Sequence, residues 1–149
     1  MITMLRLLCF TLLIQSVSSP SIHPDFSGTW ALRSLDGDPG NQQIGSQLMS
    51  ERILAITQTD KQIDVGRGDR KRMIDMIYLF GSKGSGNAYW DGKKLVISRT
   101  MELSANNEKS TLQVKEEWSL GSEGGGLIIQ MSILTRRGYA NYQLYYKKQ

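Results

Sequence analysis

The sequence has very little of the residues that build metal sites and nucleophilic centres. Its 149 residues include one cysteine, Cys9, and one histidine, His23. A Ser–His–Asp or Cys–His arrangement needs a histidine beside its nucleophile, and His23 lies in a lead-in before the first expected strand. A zinc site needs several cysteine or histidine ligands together. We therefore predict that the protein is not an enzyme and has no catalytic residues, no metal site and no cofactor.

Long apolar runs are also scarce. The most apolar stretch covers residues 7–14, follows Arg6 and precedes small polar residues that extend to Ser19. It is shorter than the roughly 20 residues that a membrane-spanning helix needs, and this pattern is typical of a secretory signal peptide. We expect cleavage after Ser18, which predicts a signal peptide over 1–18 and a single domain over 19–149, secreted or periplasmic. A retained amphipathic anchor is disfavoured because no polar face runs through the stretch.

The mature chain would contain no cysteine and little excess charge. Cys9 would be removed with the signal peptide, so stability has to come from the core instead of from disulfides. Without Arg6 there are 17 basic residues against 14 acidic ones. A net charge of +3 does not indicate a nucleic-acid partner, and no basic stripe interleaved with aromatic residues is evident. We predict no nucleic-acid partner and no transmembrane segment.

What the sequence does contain is a series of alternating apolar patterns, strongest between Lys93 and Lys147. Apolar residues recur there with period 2, which predicts antiparallel strands with one buried face. The alternating positions are Leu95, Ile97, Met101 and Leu103; Leu112, Val114, Trp118 and Leu120; Leu127, Ile129, Met131 and Ile133; and Tyr142, Leu144 and Tyr146.

A register follows from this alternation. If Leu103 lies opposite Leu112, then Ile97 lies opposite Trp118, and Arg99 lies directly opposite Glu116 on the buried face. Across the next turn, the pairs are Leu120 with Leu127, Trp118 with Ile129, and Val114 with Ile133.

The first half of the chain predicts shorter strands. They comprise a first strand around Trp30, a hairpin that joins 53–58 to 63–67 with Ile56 opposite Val65, and the segment 73–80, which is apolar on both faces apart from Asp75. Residues 34–50 have no strand pattern; they suggest a flap or lid, or equally a surface loop, with a short helical turn near 47–52. Strands joined by short turns, with no long helix, predict an all-β, up-and-down antiparallel β-barrel of eight to ten strands.

Four short motifs resemble those of the calycin superfamily, and in particular of small bacterial secreted lipocalin-like proteins. They are Gly28-Thr29-Trp30 on the first strand, Thr57-Gln58-Thr59 in the first hairpin, Trp90-Asp91-Gly92-Lys93-Lys94-Leu95, and Tyr145-Tyr146-Lys147-Lys148 at the end. The chain lacks a T-D-Y motif and the arginine that would pack on the tryptophan of the G-x-W motif. We predict that Lys147, or else Lys148, replaces this arginine and closes the barrel with Gly28 and Trp30 through a cation–π contact.

The resemblance implies a barrel that binds a small ligand in its interior. The candidate ligand-binding residues on the inward face are Arg99, Glu116, Trp118, Met131, Tyr142 and Tyr146. The predicted partner is a small hydrophobic or amphiphilic molecule, and the protein is expected to be a monomer or a weak dimer. Arg99 and Glu116 could instead be a structural cross-strand ion pair. The alternative function is a protein-interaction or inhibitor module with a filled core, and interior volume separates the two functions.

Overall fold

The structure is a computed structural model that describes residues 23–37, 41–83 and 86–149, so the predicted signal peptide lies outside the described residues. These residues form nine strands and one α-helix. In chain order they are β1 (Gly28–Gly37), α1 (Gln42–Ser50), β2 (Ile53–Gln58), β3 (Gln62–Gly68), β4 (Met73–Leu79), β5 (Ala88–Asp91), β6 (Lys94–Ala105), β7 (Glu108–Leu120), β8 (Leu127–Thr135) and β9 (Gly138–Lys148), with a short 3₁₀ helix, Ser122–Gly124, before β8.

The strands form one antiparallel sheet that curls into a nearly closed barrel. Their order is β4-β3-β2-β1-β9-β8-β7-β6-β5, so that consecutive strands pair with each other except β4 and β5, and β1 pairs with β9. The predicted all-β up-and-down barrel is therefore confirmed, with nine strands. Pairing the first strand with the last removes two sheet edges that would otherwise be exposed.

The barrel wall is joined between β4 and β5 at one place only in the described residues. A single bridge links Phe80 to Ala88, and the Gly81 amide donates a hydrogen bond of 2.8 Å to the Ala88 carbonyl. In the described residues, β4 pairs with β3 alone over 73–79, and β6 pairs with β7 alone from Arg99 onward. The wall therefore has a gap between β4 and the second half of β6.

Two of the three predicted registers are confirmed. Ile56 lies opposite Val65, and the β7–β8 pairs are those expected, including Trp118 opposite Ile129. The β6–β7 register was wrong by two residues: Arg99 lies opposite Val114, and Glu116 opposite Ile97.

The β6–β7 error comes from the turn. Asn106 and Asn107 alone connect the strands, with φ of 51° and 63°, a two-residue hairpin turn that asparagine tolerates well. Because the side-chain period of a strand is two, a shift of two residues keeps every side chain on its predicted face.

Helix α1 corrects the prediction for residues 34–50. β1 continues to Gly37, and the helix covers 42–50, earlier than the expected turn near 47–52. The Asn41 side chain caps the helix by accepting a hydrogen bond of 3.2 Å from the Ile44 amide. Ile44 and Leu48, one turn apart, are fully buried in the core. Burial of each side chain stabilises the folded protein by about 1.5–3 kcal/mol. Helix α1, which connects β1 to β2, therefore packs firmly as a plug at one end of the barrel.

Of the two lysines predicted to pack on Trp30, Lys148 makes the contact, so Lys147 was wrong and its stated alternative is the residue found there. Lys148 lies opposite Trp30 in the β1–β9 pair, and its Nζ is 5.6 Å from the indole centroid. Lys147 lies opposite Ala31 and therefore on the other face. Gly28 is favoured beside them because its φ is +131°, a backbone conformation that other residues rarely adopt.

Candidate functional site

Glu116 is fully buried inside the barrel and accepts four hydrogen bonds. Both terminal nitrogens of Arg67 donate to it, one to each carboxylate oxygen, at 3.0 Å. Arg99 Nε donates to Oε1 at 2.6 Å, and Trp118 Nε1 donates to Oε2 at 2.7 Å. A carboxylate has about four acceptor positions, so Glu116 is saturated by the protein's own side chains.

A second carboxylate connects these residues to α1. Arg99 Nη2 donates to Glu51 Oε2 at 3.1 Å, and Glu51 directly follows the helix. The Tyr146 hydroxyl donates to the Glu51 carbonyl oxygen at 3.3 Å. We call Glu51, Arg67, Arg99 and Glu116 the ionic network. Its two positive and two negative charges balance, and it links α1 to β3, β6 and β7.

The network holds Glu116 and Arg67 in their charged forms. Burial acts to raise the pKa of Glu116, but the attraction of Arg67 and Arg99 outweighs burial and lowers the pKa from 4.5 to about 2. Burial alone would lower the pKa of Arg67, but Glu116 raises it above its usual value. The pKa of Tyr146 is raised, mainly by burial, so this tyrosine is a neutral hydrogen-bond donor at neutral pH.

Two polar atoms beside the network have no hydrogen-bond partner among the described residues. They are Arg67 Nε and the Tyr78 hydroxyl, in side chains that are 7% and 2% exposed. Arg67 lies opposite Ile74 and Tyr78 opposite Ile63, so both side chains share the inner face of the β3–β4 hairpin. Tyr78 also acts electrostatically on Arg67. A buried polar group without a partner costs about 1–3 kcal/mol, so these atoms mark a place where a further polar atom would be stabilised.

The gap in the wall exposes apolar surface on the same inner face. Ile74 and Met76 lie opposite Arg67 and Val65 and therefore point inward, yet they are 57% and 49% exposed. The unpaired polar atoms thus lie on the same face as the inward apolar side chains that solvent reaches. This combination, a few placed polar groups beside apolar surface, is typical of small-molecule sites.

The structure brings four of the six predicted ligand-binding residues together. Arg99, Glu116, Trp118 and Tyr146 belong to the network or bond to it. Met131 and Tyr142 are buried on the inward face, in the row that crosses the sheet from Glu116. Whether any of the six binds a ligand stays a prediction.

Arg67, Glu51 and Tyr78 were missed by the sequence analysis. Arg67 had a signal, since it continues the inward positions Ile63 and Val65 with period 2. Glu51 had none, because its position depends on α1.

The centre of the barrel is packed and not open. All nine strands contribute side chains to the core, and these core side chains are between 0% and 8% exposed. Ile44 and Leu48 fill the end of the barrel under α1. A cavity of about 420 Å³ lies elsewhere, beside Met131 and Tyr142, with Lys115 and Glu117 among its lining residues. Its lining is mainly the polar outer face of β7–β9, so we place the candidate site at the ionic network.

The structure is thus an up-and-down antiparallel barrel of nine strands with a buried ionic network inside it. The structure is similar to the crystal structure of zebrafish ileal bile acid-binding protein in complex with cholic acid, with a TM-score of 0.52, 17% sequence identity, and coverage of 83% of this chain and 98% of that one. At this identity the similarity concerns the fold. No family model matches the sequence, and no curated protein matches it.

Two further features of the described residues concern membrane spanning and metal binding. Within the ranges given above, no helix is both long and apolar enough to cross a membrane. The same residues contain no group of three or more histidine, cysteine, aspartate or glutamate side chains placed to hold a metal ion.

Proposed function

We propose that this protein is a binding protein for a small, mainly apolar molecule, whose polar end meets Arg67 and Tyr78 inside the barrel. The observation that carries the proposal is a pair of buried polar atoms, without a partner within 23–37, 41–83 and 86–149, on the same face as exposed Ile74 and Met76. The fold supports it, because the zebrafish protein of the same fold is a bile acid-binding protein. We also propose that the protein acts after secretion, because the apolar run at the N-terminus is typical of a signal peptide.

Binding would proceed through the gap between β4 and β6. Covering the exposed inward side chains removes apolar surface from water, worth about 25 cal/mol for each Å² buried. Since the centre is packed, a longer ligand would also have to displace the plug residues Ile44 and Leu48. The Arg99–Glu51 ion pair would hold α1 in place until a ligand displaces it. Helix α1 would therefore act as the gate of the barrel.

Native mass spectrometry of protein purified from its own host tests this proposal. We expect a co-purified small molecule that is retained by the parent and by Tyr139→Phe, which changes an exposed tyrosine, and is depleted in Tyr78→Phe. Equal retention by both variants would show that the Tyr78 hydroxyl plays no part. A parent protein that carries no small molecule and takes up none from a lipid extract would contradict the proposal.

A second function is favoured by the packed centre and by the outer face of β4. Ile77 and Leu79 are 56% and 64% exposed on an edge strand whose residues 73–78 pair with no second strand in the part of the chain that the structure describes. Such an edge fits an extended apolar segment of another protein, added as a further strand.

The test of this second function uses a peptide of alternating valine and threonine as the probe, with hydrogen exchange of the β4 amides as the measurement. Slower exchange over residues 73–79, lost in Ile77→Pro, would support strand addition. Unchanged exchange at millimolar peptide would exclude it.

A further inference from the structure

We infer that the polar end of the ligand is an uncharged oxygen, as in a long-chain alcohol or ketone, and not a carboxylate. The inference rests on the proposed function and specifies the chemistry of that site. It follows from the charge balance of the ionic network and from the two polar atoms that the network leaves unpaired.

The arginines of the site are already neutralised by the protein. Glu116 receives the paired Arg67 bonds at 3.0 Å and the Arg99 bond at 2.6 Å, which is the arrangement that a ligand carboxylate would otherwise adopt. Arg99 is also bonded to Glu51. A ligand carboxylate would add a net negative charge to a buried, balanced set. To displace Glu116 it would have to leave a buried carboxylate without its partners, which is strongly unfavourable.

The unpaired atoms specify what the site can accept. Arg67 Nε carries a hydrogen and can only donate, whereas the Tyr78 hydroxyl can donate or accept. An alcohol oxygen bound between these two atoms would satisfy both, because it can accept from Arg67 Nε and donate to the Tyr78 hydroxyl. A ketone oxygen can accept from both. A ligand ammonium group is excluded, since it would bring a second positive charge to Arg67 without an acceptor for most of its hydrogens.

The apolar part of the ligand has a defined neighbour. Ile74 and Met76 precede Tyr78 at successive inward positions of β4, lie opposite Arg67 and Val65, and are 57% and 49% exposed. A hydrocarbon chain whose polar end meets Arg67 and Tyr78 would lie along these side chains.

Isothermal titration calorimetry with matched straight-chain pairs tests the inference. The probes are 1-octanol against octanoate and 1-decanol against decanoate, at pH 7, where the acids are ionised. We expect each alcohol to bind at least tenfold more tightly than its acid. Tyr78→Phe should weaken alcohol binding about three- to tenfold by removing one hydrogen bond. Tyr139→Phe, the control on the exposed surface, should change nothing.

Glu116→Gln provides a change of specificity. Its side chain keeps the shape of glutamate but releases the guanidinium charges, so decanoate should bind this variant more tightly than 1-decanol. If the variant does not fold, the titrations of the parent and of Tyr78→Phe still test whether the polar end of the ligand is uncharged. Acids that bind the parent as tightly as the alcohols would overturn the inference and leave the proposed function intact. If neither series binds the parent, the proposed function fails, and the inference fails with it.

Discussion

At the scale of single residues, Glu116 determines whether the barrel centre is stable. Its carboxylate is the common acceptor for Arg67, Arg99 and Trp118. Removing one partner of a buried ion pair is costly because the remaining charges lose their compensation. The network therefore stabilises the fold only as a complete set.

Glu116→Gln should lower the free energy of unfolding by about 3–5 kcal/mol, because it leaves two buried arginines facing a neutral amide. The control is Glu117→Gln, which changes the adjacent, partly exposed carboxylate paired with Lys115 and should cost less than about 1 kcal/mol. Urea denaturation followed by circular dichroism measures both. Equal midpoints for the two variants would show that the network contributes no stability.

Acid should destabilise the protein through the same residue. The pKa of Glu116 is lowered from 4.5 to about 2 in the folded protein, so its contribution is complete above pH 4.5 and is lost as the pH falls toward 2. The loss is on the order of 3 kcal/mol. Urea midpoints between pH 5 and pH 2.5 should fall more steeply for the parent than for Glu116→Gln. Parallel curves would contradict the prediction, since Asp25 and Asp69, whose pKa values are also lowered, are present in both proteins.

Individual residues also show where the sequence was informative. The alternation in β6 and β7 placed Arg99, Glu116 and Trp118 on the inward face, and the contact between Arg99 and Glu116 is present. The same rule applied to Ile63 and Val65 would have placed Arg67 inside. Arg67 is a single charged residue at the end of a short strand, and the turn that follows it is also charged. Its inward position was therefore not recognised from composition.

At the scale of secondary-structure elements, the turns decided which registers could be predicted. The glycine-rich connection before β8 left Leu120 opposite Leu127, as the apolar pattern required. The pattern alone could not distinguish a two-residue connection between β6 and β7 from a four-residue one over 106–109, because both give the same faces. The positive φ values of Asn106 and Asn107 select the shorter one.

Helix α1 was not predictable from periodicity, because only Ile44 and Leu48 of its nine residues are buried. Leu48→Ala should lower the free energy of unfolding by about 2–5 kcal/mol, since it creates a cavity under the plug. Met49→Ala, on the exposed side of the same helix, should change it by no more than about 0.5 kcal/mol. Hydrogen exchange of the α1 amides should accelerate in Leu48→Ala only. A Leu48→Ala protein as stable as the parent would mean that α1 does not seal the barrel.

At the scale of the whole molecule, the barrel is strong on one side and open on the other. β1 and β9 are joined by a ladder from Trp30 to Gly37 and by the Lys148–Trp30 contact. β4 and β5 share one bridge. In the described residues the wall is therefore joined by one bridge beside β4, and both the proposed ligand entry and the apolar edge open to self-association lie at this strand.

Self-association through β4 can be separated from a general charge effect. An apolar edge strand tends to pair with another copy, and lysine on such an edge opposes pairing. Ile77→Lys should abolish any weak dimer seen by sedimentation velocity at high protein concentration, whereas Thr111→Lys, which adds the same charge on an exposed position of the interior strand β7, should not. Because Ile77 points away from the barrel centre, 1-decanol binding should survive in both variants. A parent that stays monomeric at every concentration, or a dimer weakened equally by both lysines, would show that the exposed edge does not drive association.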